Sequence, residues 1–206
     1  MPSGSKRVFF GDFVFLVDEN VYEPAEDSFL FAEKLDVEVG ERVLDMGTGS
    51  GILGIIVAKK AGEVVAVDVN PYAVRCAKAN AVVNDARSNM EFIEGDLFAP
   101  LNEKAKFDLI LFNAPYLPID DETDDSLVSV AWKGGKTGRN VIDKFVCGVS
   151  GYLSTNGRVL LLQSNLAGVD ETVRQFRLHS MVAEILAECK LPFFEVLFLL
   201  EARFVT

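Results

Sequence analysis

Cysteine is scarce in this sequence: Cys76, Cys147 and Cys189 lie far apart and in no C-x-x-C spacing. An odd, scattered set gives neither a disulfide framework nor a zinc site, and nothing beside any of them would activate a thiol. Reduced thiols in a cytoplasmic protein are the expectation. Long apolar runs are also missing. No stretch of about 18 consecutive apolar residues occurs, so no transmembrane helix is expected. Lys6-Arg7 followed by Val8 to Val17 faintly resembles a secretory signal, but Gly11-Asp12 interrupts the run and no small-residue cleavage site follows. Positive charge is short too. Twenty Lys and Arg against 31 Asp and Glu leave a net charge of −11, which repels phosphate backbones and disfavours bulk nucleic acid as a partner.

What is present points to one folded domain over residues 1–206. Half of the 206 residues are hydrophobic, enough for a sizeable core. Val8 to Val17 reads as a hairpin around Gly11-Asp12. Tyr22 to Ser28 leads into a short helix through Leu35, with Asp27 or Ser28 as its cap; residues 1–36 therefore form an N-terminal extension. From there strands and helices alternate. Strands are expected at Arg42–Asp45, Val64–Asp68, Glu91–Glu94, Phe107–Phe112 and Arg158–Gln163, and helices at Ile52–Lys60, Pro71–Asn84, Val141–Leu153 and Val169–Leu178. Two final strands, about Ala183–Cys189 and Glu195–Arg203, are joined around Pro192 and so should be antiparallel. The pattern predicts an α/β fold: a Rossmann-like, doubly wound, mostly parallel seven-stranded sheet with a C-terminal antiparallel hairpin. Leu117 to Val130 is the longest irregular stretch and suits a contact loop over substrate.

Two stretches carry the chemistry. The first is Asp45-Met46-Gly47-Thr48-Gly49-Ser50-Gly51, a glycine loop closing an apolar strand. Gly49-x-Gly51-x-x-Gly54 matches the dinucleotide fingerprint, with Asp68 near the distance of a ribose-binding acid. That match is weak evidence for NAD. The acids discriminate better. Asp45, Asp68 and Asp96 follow three successive strands, whose ends meet in one crevice. Three carboxylates there would repel a pyrophosphate and suit a phosphate-free, cationic cofactor such as S-adenosylmethionine.

The second stretch is Asn113-Ala114-Pro115-Tyr116. It suits a planar NH₂ substrate. The Asn113 side-chain carbonyl and the Ala114 backbone carbonyl can each accept one N–H, aiming the nitrogen lone pair at a methyl donor while Tyr116 packs on the planar group. Both acceptors bind more strongly as charge develops on nitrogen. No general base is required, and the single histidine, His179, is expected to be structural or on the surface. Two substrate classes fit: the side-chain amide of a protein glutamine, and the exocyclic amine of adenine or cytosine. Chain length and acidity favour the protein.

These residues resemble the class I S-adenosylmethionine-dependent methyltransferases, and within them the HemK-like glutamine methyltransferases of release factors, in their short archaeal and eukaryotic branch. The matching segments are Tyr22 to Ser28, Asp45 to Gly51, Asp68, Asp96-Leu97, Asn113 to Tyr116, and Ala131-Trp132-Lys133-Gly134-Gly135 with Gly138-Arg139. The resemblance implies that Asp45, Gly47, Thr48, Gly49 and Gly51 line the methionine part, that Asp68 with Val69 takes the ribose, and that Asp96 and Leu97 read the adenine. It implies that Tyr22, Pro24 and Ser28 close over the cofactor and that Asn113 joins cofactor to substrate; from the cysteine spacing, no metal site is expected. The substrate it implies is the glutamine of a Gly-Gly-Gln loop in a class I release factor. It also implies a small zinc-binding activator subunit, for which the edge strand 91–94, near Val82, Val83 and Met90, is the expected seat. The family pattern is Asn-Pro-Pro-Tyr. Ala114 stands at the first proline, so some rigidity is expected to be lost and the chemistry slowed.

Three further readings stay open. They are a methyltransferase for nucleic-acid amines or another protein side chain, an NAD-dependent oxidoreductase, and a scaffold that binds cofactor without turnover. Lys133, Lys136, Arg139 and Lys144 form a basic stretch after the acidic run Asp120 to Asp125 and are candidates to meet an acidic face of the factor.

Overall fold

The computed structural model describes residues 6–117 and 137–205. Strand β1 (Lys6–Phe10) and β2 (Phe13–Val17) pair antiparallel as the expected hairpin. Helix α1 (Glu26–Glu33) starts earlier than expected. Its N-cap is Ala25, which has no side-chain oxygen to offer, and Asp27 and Ser28 lie buried inside the first turn. Neither residue caps the helix.

The main sheet has seven strands in the order β5-β4-β3-β6-β7-β9-β8. They are β3 (Arg42–Met46), β4 (Glu63–Asp68), β5 (Met90–Glu94), β6 (Phe107–Asn113), β7 (Leu153–Ser164), β8 (Met181–Lys190) and β9 (Val196–Phe204). The helices after α1 are α2 (Ile52–Val57), α3 (Pro71–Val83), α4 (Asn140–Val149) and α5 (Val169–Leu178). Two boundaries differ from expectation for a visible reason. Helix α2 stops at Val57 because Lys59 and Lys60 donate to carbonyls only three residues back, a tightened last turn. Helix α4 stops at Val149 because Gly151 and Tyr152 make the same kind of turn, which frees Leu153 to pair with Phe107 and lengthens β7. No helix among the described residues is long and apolar enough to cross a membrane.

The chain divides into two compact units, Met1–Pro100 and Leu101–Thr206. In the first, β3, β4 and β5 are parallel. Val43 to Met46 and Val64 to Val67 are buried without alternation, the mark of strands covered on both faces. The hairpin is fastened to α3 by two asparagines one turn apart. Asn84 accepts from Val14 N–H at 3.0 Å and donates to its carbonyl at 2.9 Å. Asn80 accepts from Leu16 N–H at 2.8 Å and donates to Leu16 O at 3.0 Å and Ser50 O at 2.8 Å. Asn80 is fully buried. Its replacement by alanine strands the Leu16 N–H and the Ser50 carbonyl at about 1–2 kcal/mol each, while Leu16 O keeps the Cys76 thiol as a donor at 3.1 Å. We expect Asn80→Ala to lower stability by about 2–4 kcal/mol, read as a drop in the thermal midpoint of roughly 5–10 °C.

In the second unit β6 and β7 are parallel, while β9 runs antiparallel to both β7 and β8. The carboxyl ends of β6, β7 and β8 therefore lie at one end of this unit, where β9 begins. Phe112 and Phe145 form a tilted ring pair beneath that end, with centroids 4.5 Å apart.

Candidate functional site

The parallel strands of the first unit bring three turns to one end: Gly47–Gly51 after β3, Val69–Asn70 after β4 and Gly95–Leu97 after β5. The glycine loop is closed by Thr48 N–H to Val67 O at 3.0 Å and Gly51 N–H to Thr48 O at 2.8 Å. Gly51 has φ +87°, and a β-carbon on it would sit 2.9 Å from Ile55 Cδ1 and 3.1 Å from Ala77 Cα. Only glycine lets the loop come this close to α3. At Gly49 the situation is opposite: the nearest atom to an added β-carbon is Gly47 O at 3.9 Å. The main chain at Gly49 is thus uncrowded where a β-carbon would sit.

Two acids support that loop. Asp45 is 1% exposed; its Oδ2 accepts from Thr48 Oγ1 at 2.6 Å and from Gly54 N–H at 3.0 Å. Burial drives its carboxyl up to about 7 against the pull of those two hydrogen bonds, and the negative charge of Asp68 adds to the rise. Asp68 accepts from Gly49 N–H at 2.9 Å and Asn70 N–H at 2.8 Å. Burial pushes it upward as well, opposed by main-chain donors. Each carboxylate oxygen still has lone-pair capacity. Two desolvated carboxylates beside one loop favour a cationic ligand over a pyrophosphate, which supports the S-adenosylmethionine expectation and weakens the NAD one.

The raised Asp45 carboxyl has a measurable consequence. Its folded pKa lies above its unfolded one, so its contribution to stability is complete below about pH 4 and is lost as pH rises to about 7. Asp45→Asn should remove a decline of a few kcal/mol between those limits. Urea unfolding of both proteins across that range is the check; parallel pH curves would contradict the assignment.

The third turn carries backbone strain. Leu97, though not glycine, has φ +48°, a conformation that side chains disfavour. Such outliers gather where main chain is displayed to ligands, in keeping with the adenine-reading role expected for Asp96 and Leu97. Asp96 itself is exposed. Val69 is 51% exposed. In the N-terminal segment Pro24 is buried. Tyr22 Oη donates to Asp27 Oδ1 at 3.1 Å, which also accepts from Ser28 N–H at 2.6 Å and Ser28 Oγ at 3.2 Å. Asn70 Nδ2 donates to Asn20 O at 2.8 Å, tying the turn before Tyr22 to the end of β4. Asn70 and Asn80 are tethers that the sequence reading did not single out. Pro71 was legible as the first turn of a helix; Asn70, whose Oδ1 caps Tyr72 N–H at 2.9 Å, was read neither as its cap nor as a tether.

In the second unit Asn113 ends β6, paired with Leu162 of β7. Asn113 is half-buried and its carboxamide oxygen is shielded from solvent. Ala114 N–H donates to Leu162 O at 3.2 Å. A proline at that position has no N–H, so alanine trades ring rigidity for a hydrogen bond that pins the same residue. Pro115 and Tyr116 are half-exposed. Gly138, at φ +72°, lies so close to the Tyr116 carbonyl that a β-carbon would collide with it. Arg139 then donates to Ala167 O at 2.6 Å, Gly168 O at 2.8 Å, Thr172 Oγ1 at 3.1 Å and Asp143 Oδ1 at 2.6 Å. Arg139 is a clamp inside the unit, which revises its expected part in meeting an acidic partner. Lys133 and Lys136, the Asp120–Asp125 run, the segment Ala131–Gly135 and all of the expected contact loop except Leu117 lie outside the described residues. One further residue escaped the sequence reading: Gln163, fully buried one step past Leu162, bonds through neither amide atom among the described residues. Its signal was a polar side chain closing an apolar strand.

Comparison with known proteins follows the same line. The methyltransferase small domain family matches residues 23–186. A provisionally named protein N5-glutamine methyltransferase of Methanocaldococcus jannaschii is 45% identical over 179 residues, covering 86% of this chain and 89% of that protein. Methyltransferase HEMK2 of Mus musculus is 34% identical over 154 residues, covering 69% of this chain and 71% of that protein. Among solved structures, the E. cuniculi Mtq2–Trm112 complex, responsible for methylation of the eRF1 translation termination factor, contains a chain with a TM-score of 0.71 and 26% identity. The match covers 90% of this chain and 99% of that one.

Proposed function

This chain belongs to the methyltransferase small domain family, and from that premise we propose that it methylates the side-chain amide nitrogen of a glutamine, in the Gly-Gly-Gln loop of a class I release factor, with S-adenosylmethionine as donor. Both units serve as one catalytic domain in the cytoplasm. The observation that carries this reading is the 45% identity, over 86% of this chain, to a relative named as a protein N5-glutamine methyltransferase, together with Asn113 at the end of β6 and its neighbour pinned to β7.

Asp45, Asp68, Leu97 and the Gly47–Gly51 main chain would hold the cofactor. When bound, it supplies an electrophilic methyl group on a sulfonium. The chain's own task is placement. Asn113 Oδ1 and the Ala114 carbonyl each accept one N–H of the incoming amide, leaving the nitrogen lone pair as the group free to attack. An acceptor removed from water binds the developing charge more strongly than one in water. Such positioning supplies several kcal/mol, about 7 at best. The methylated amide is acidic and gives up its extra proton to water, so His179, at the end of α5, has no part.

A partner subunit on β5 fits the same reading. This strand is an edge of the sheet, with Phe92 and Ile93 half-exposed and Val82 and Val83 61% and 50% exposed nearby. Met90 is buried and belongs to the core instead. The proposed partner is a small zinc-binding activator, as the sequence resemblance implies. The functional test is labelled methyl transfer to a class I release factor, to a factor with the glutamine replaced, and to RNA and DNA, each with and without the activator. Label on the intact factor alone is expected. Label on nucleic acid with none on the factor would overturn the proposal.

A further inference from the structure

Beyond the reaction centre, the second unit displays two aromatic side chains at the same strand end. The turn from β8 to β9 runs through Pro192-Phe193-Phe194. Strand β8 runs parallel to β7, because both are antiparallel to β9, so this turn lies at the carboxyl end where Asn113 and Ser164 finish their strands. Phe193 is 98% exposed and Phe194 97%. Both have left-handed backbone, φ +62° and +64°, where glycine or asparagine would be at ease and phenylalanine is not.

The turn is built, not frayed. Asn165, just past β7, accepts from Val196 N–H at 2.9 Å and donates to Phe194 O at 3.3 Å. Leu191 N–H closes the loop onto Glu195 O at 2.8 Å. Leu166, beside Asn165, is 50% exposed and extends the apolar surface. A strained and clamped turn that puts two large rings into water is what a recognition element requires.

We propose that Phe193 and Phe194 are the docking surface for the polypeptide that flanks the reacting glutamine. The inference rests on the protein-substrate reading. Asn113 and Ala114 grip only an NH₂ group, which every glutamine and asparagine carries, so discrimination must come from contacts outside the grip. The rings lie at the same end of the same unit as that grip. They are apolar and bear no charge, and a chain with net charge −11 favours a polypeptide on them over stacked nucleic-acid bases, which the phosphates would carry into repulsion.

The test is the double variant Phe193→Gly with Phe194→Gly, which removes both rings and keeps a turn that glycine adopts freely. Its thermal midpoint should equal or exceed that of the parent, so weakened binding cannot be ascribed to unfolding. Direct binding of a fluorescently labelled release factor and methyl transfer to it are measured in parallel. The expected result is factor binding weakened at least tenfold and KM raised in proportion, with kcat within threefold and S-adenosylmethionine affinity unchanged. Binding lost in the variant supports the surface even if the parent transfers no methyl to the factor, an outcome that would sink only the proposed reaction. Unchanged binding and KM would overturn the surface, as would a parent that does not bind the factor. Conversion of a parent dimer to monomer with factor binding intact would make a second copy the occupant. Loss of RNA binding alone would make it nucleic acid.

Discussion

Asn113→Ala should reduce methyl transfer by at least a hundredfold and on the order of a thousandfold, the scale seen when one preorganised hydrogen-bonding group is removed from a developing charge. Binding of S-adenosylmethionine should stay within about threefold of the parent, because the loop and the two acids proposed to hold it are in the first unit and are untouched. The fall should appear in kcat as much as in kcat/KM, since the two acceptors tighten on the substrate as charge develops. Single-turnover rates and calorimetric titration of the cofactor check the two halves. A variant that keeps the parent's rate would remove Asn113 from the chemistry.

Gly138→Ala should be nearly as damaging for a different reason. Glycine's φ of +72° is costly for alanine, and the added carbon would meet the Tyr116 carbonyl and lie 3.3 Å from Ala167 Cβ. Main chain cannot swing aside as a side-chain end can, and Arg139 anchors the next residue to Ala167, Gly168 and Thr172. The Asn113–Tyr116 segment must therefore shift. A displacement of about 1 Å at a reacting centre costs roughly a hundredfold in rate, and the strain should take about 1–2 kcal/mol from stability. Gly11→Ala is the matching control. Gly11 also has positive φ, +55°, but open space around its β-carbon position. It should show only the backbone cost, with full activity. Equal activity of the two variants would contradict this account of Gly138.

Much of this was legible in the chain, and what was missed has a common physical form. Apolar runs such as Leu109 to Phe112 announce strands buried on both faces, and Pro71 announces the first turn of a helix. Glycines before Ile52 announce a tight loop after β3, and Gly47, Gly49 and Gly51 all take positive φ there. The HemK-like resemblance is borne out by relatives that are themselves glutamine methyltransferases. The errors were long-range. Asp27 and Ser28 look like caps in sequence, but they bond with Tyr22 and each other inside the helix. Arg139 looks like surface charge, but a turn 28 residues later takes its guanidinium. Asn80 and Asn84 look like ordinary helix residues, but their amides replace the strand partner that β2 lacks. Ala114 looks like a loss of rigidity, and the β7 carbonyl that restores it is 48 residues away in sequence. Each depends on a partner that no local pattern identifies.

The central claim is geometric and can be observed directly. A crystal structure of the chain with S-adenosylhomocysteine and a Gly-Gly-Gln peptide should place the glutamine NH₂ within about 3 Å of both Asn113 Oδ1 and the Ala114 carbonyl oxygen, facing the cofactor sulfur. A glutamine side chain bound elsewhere, or one whose NH₂ meets neither oxygen, would contradict the account.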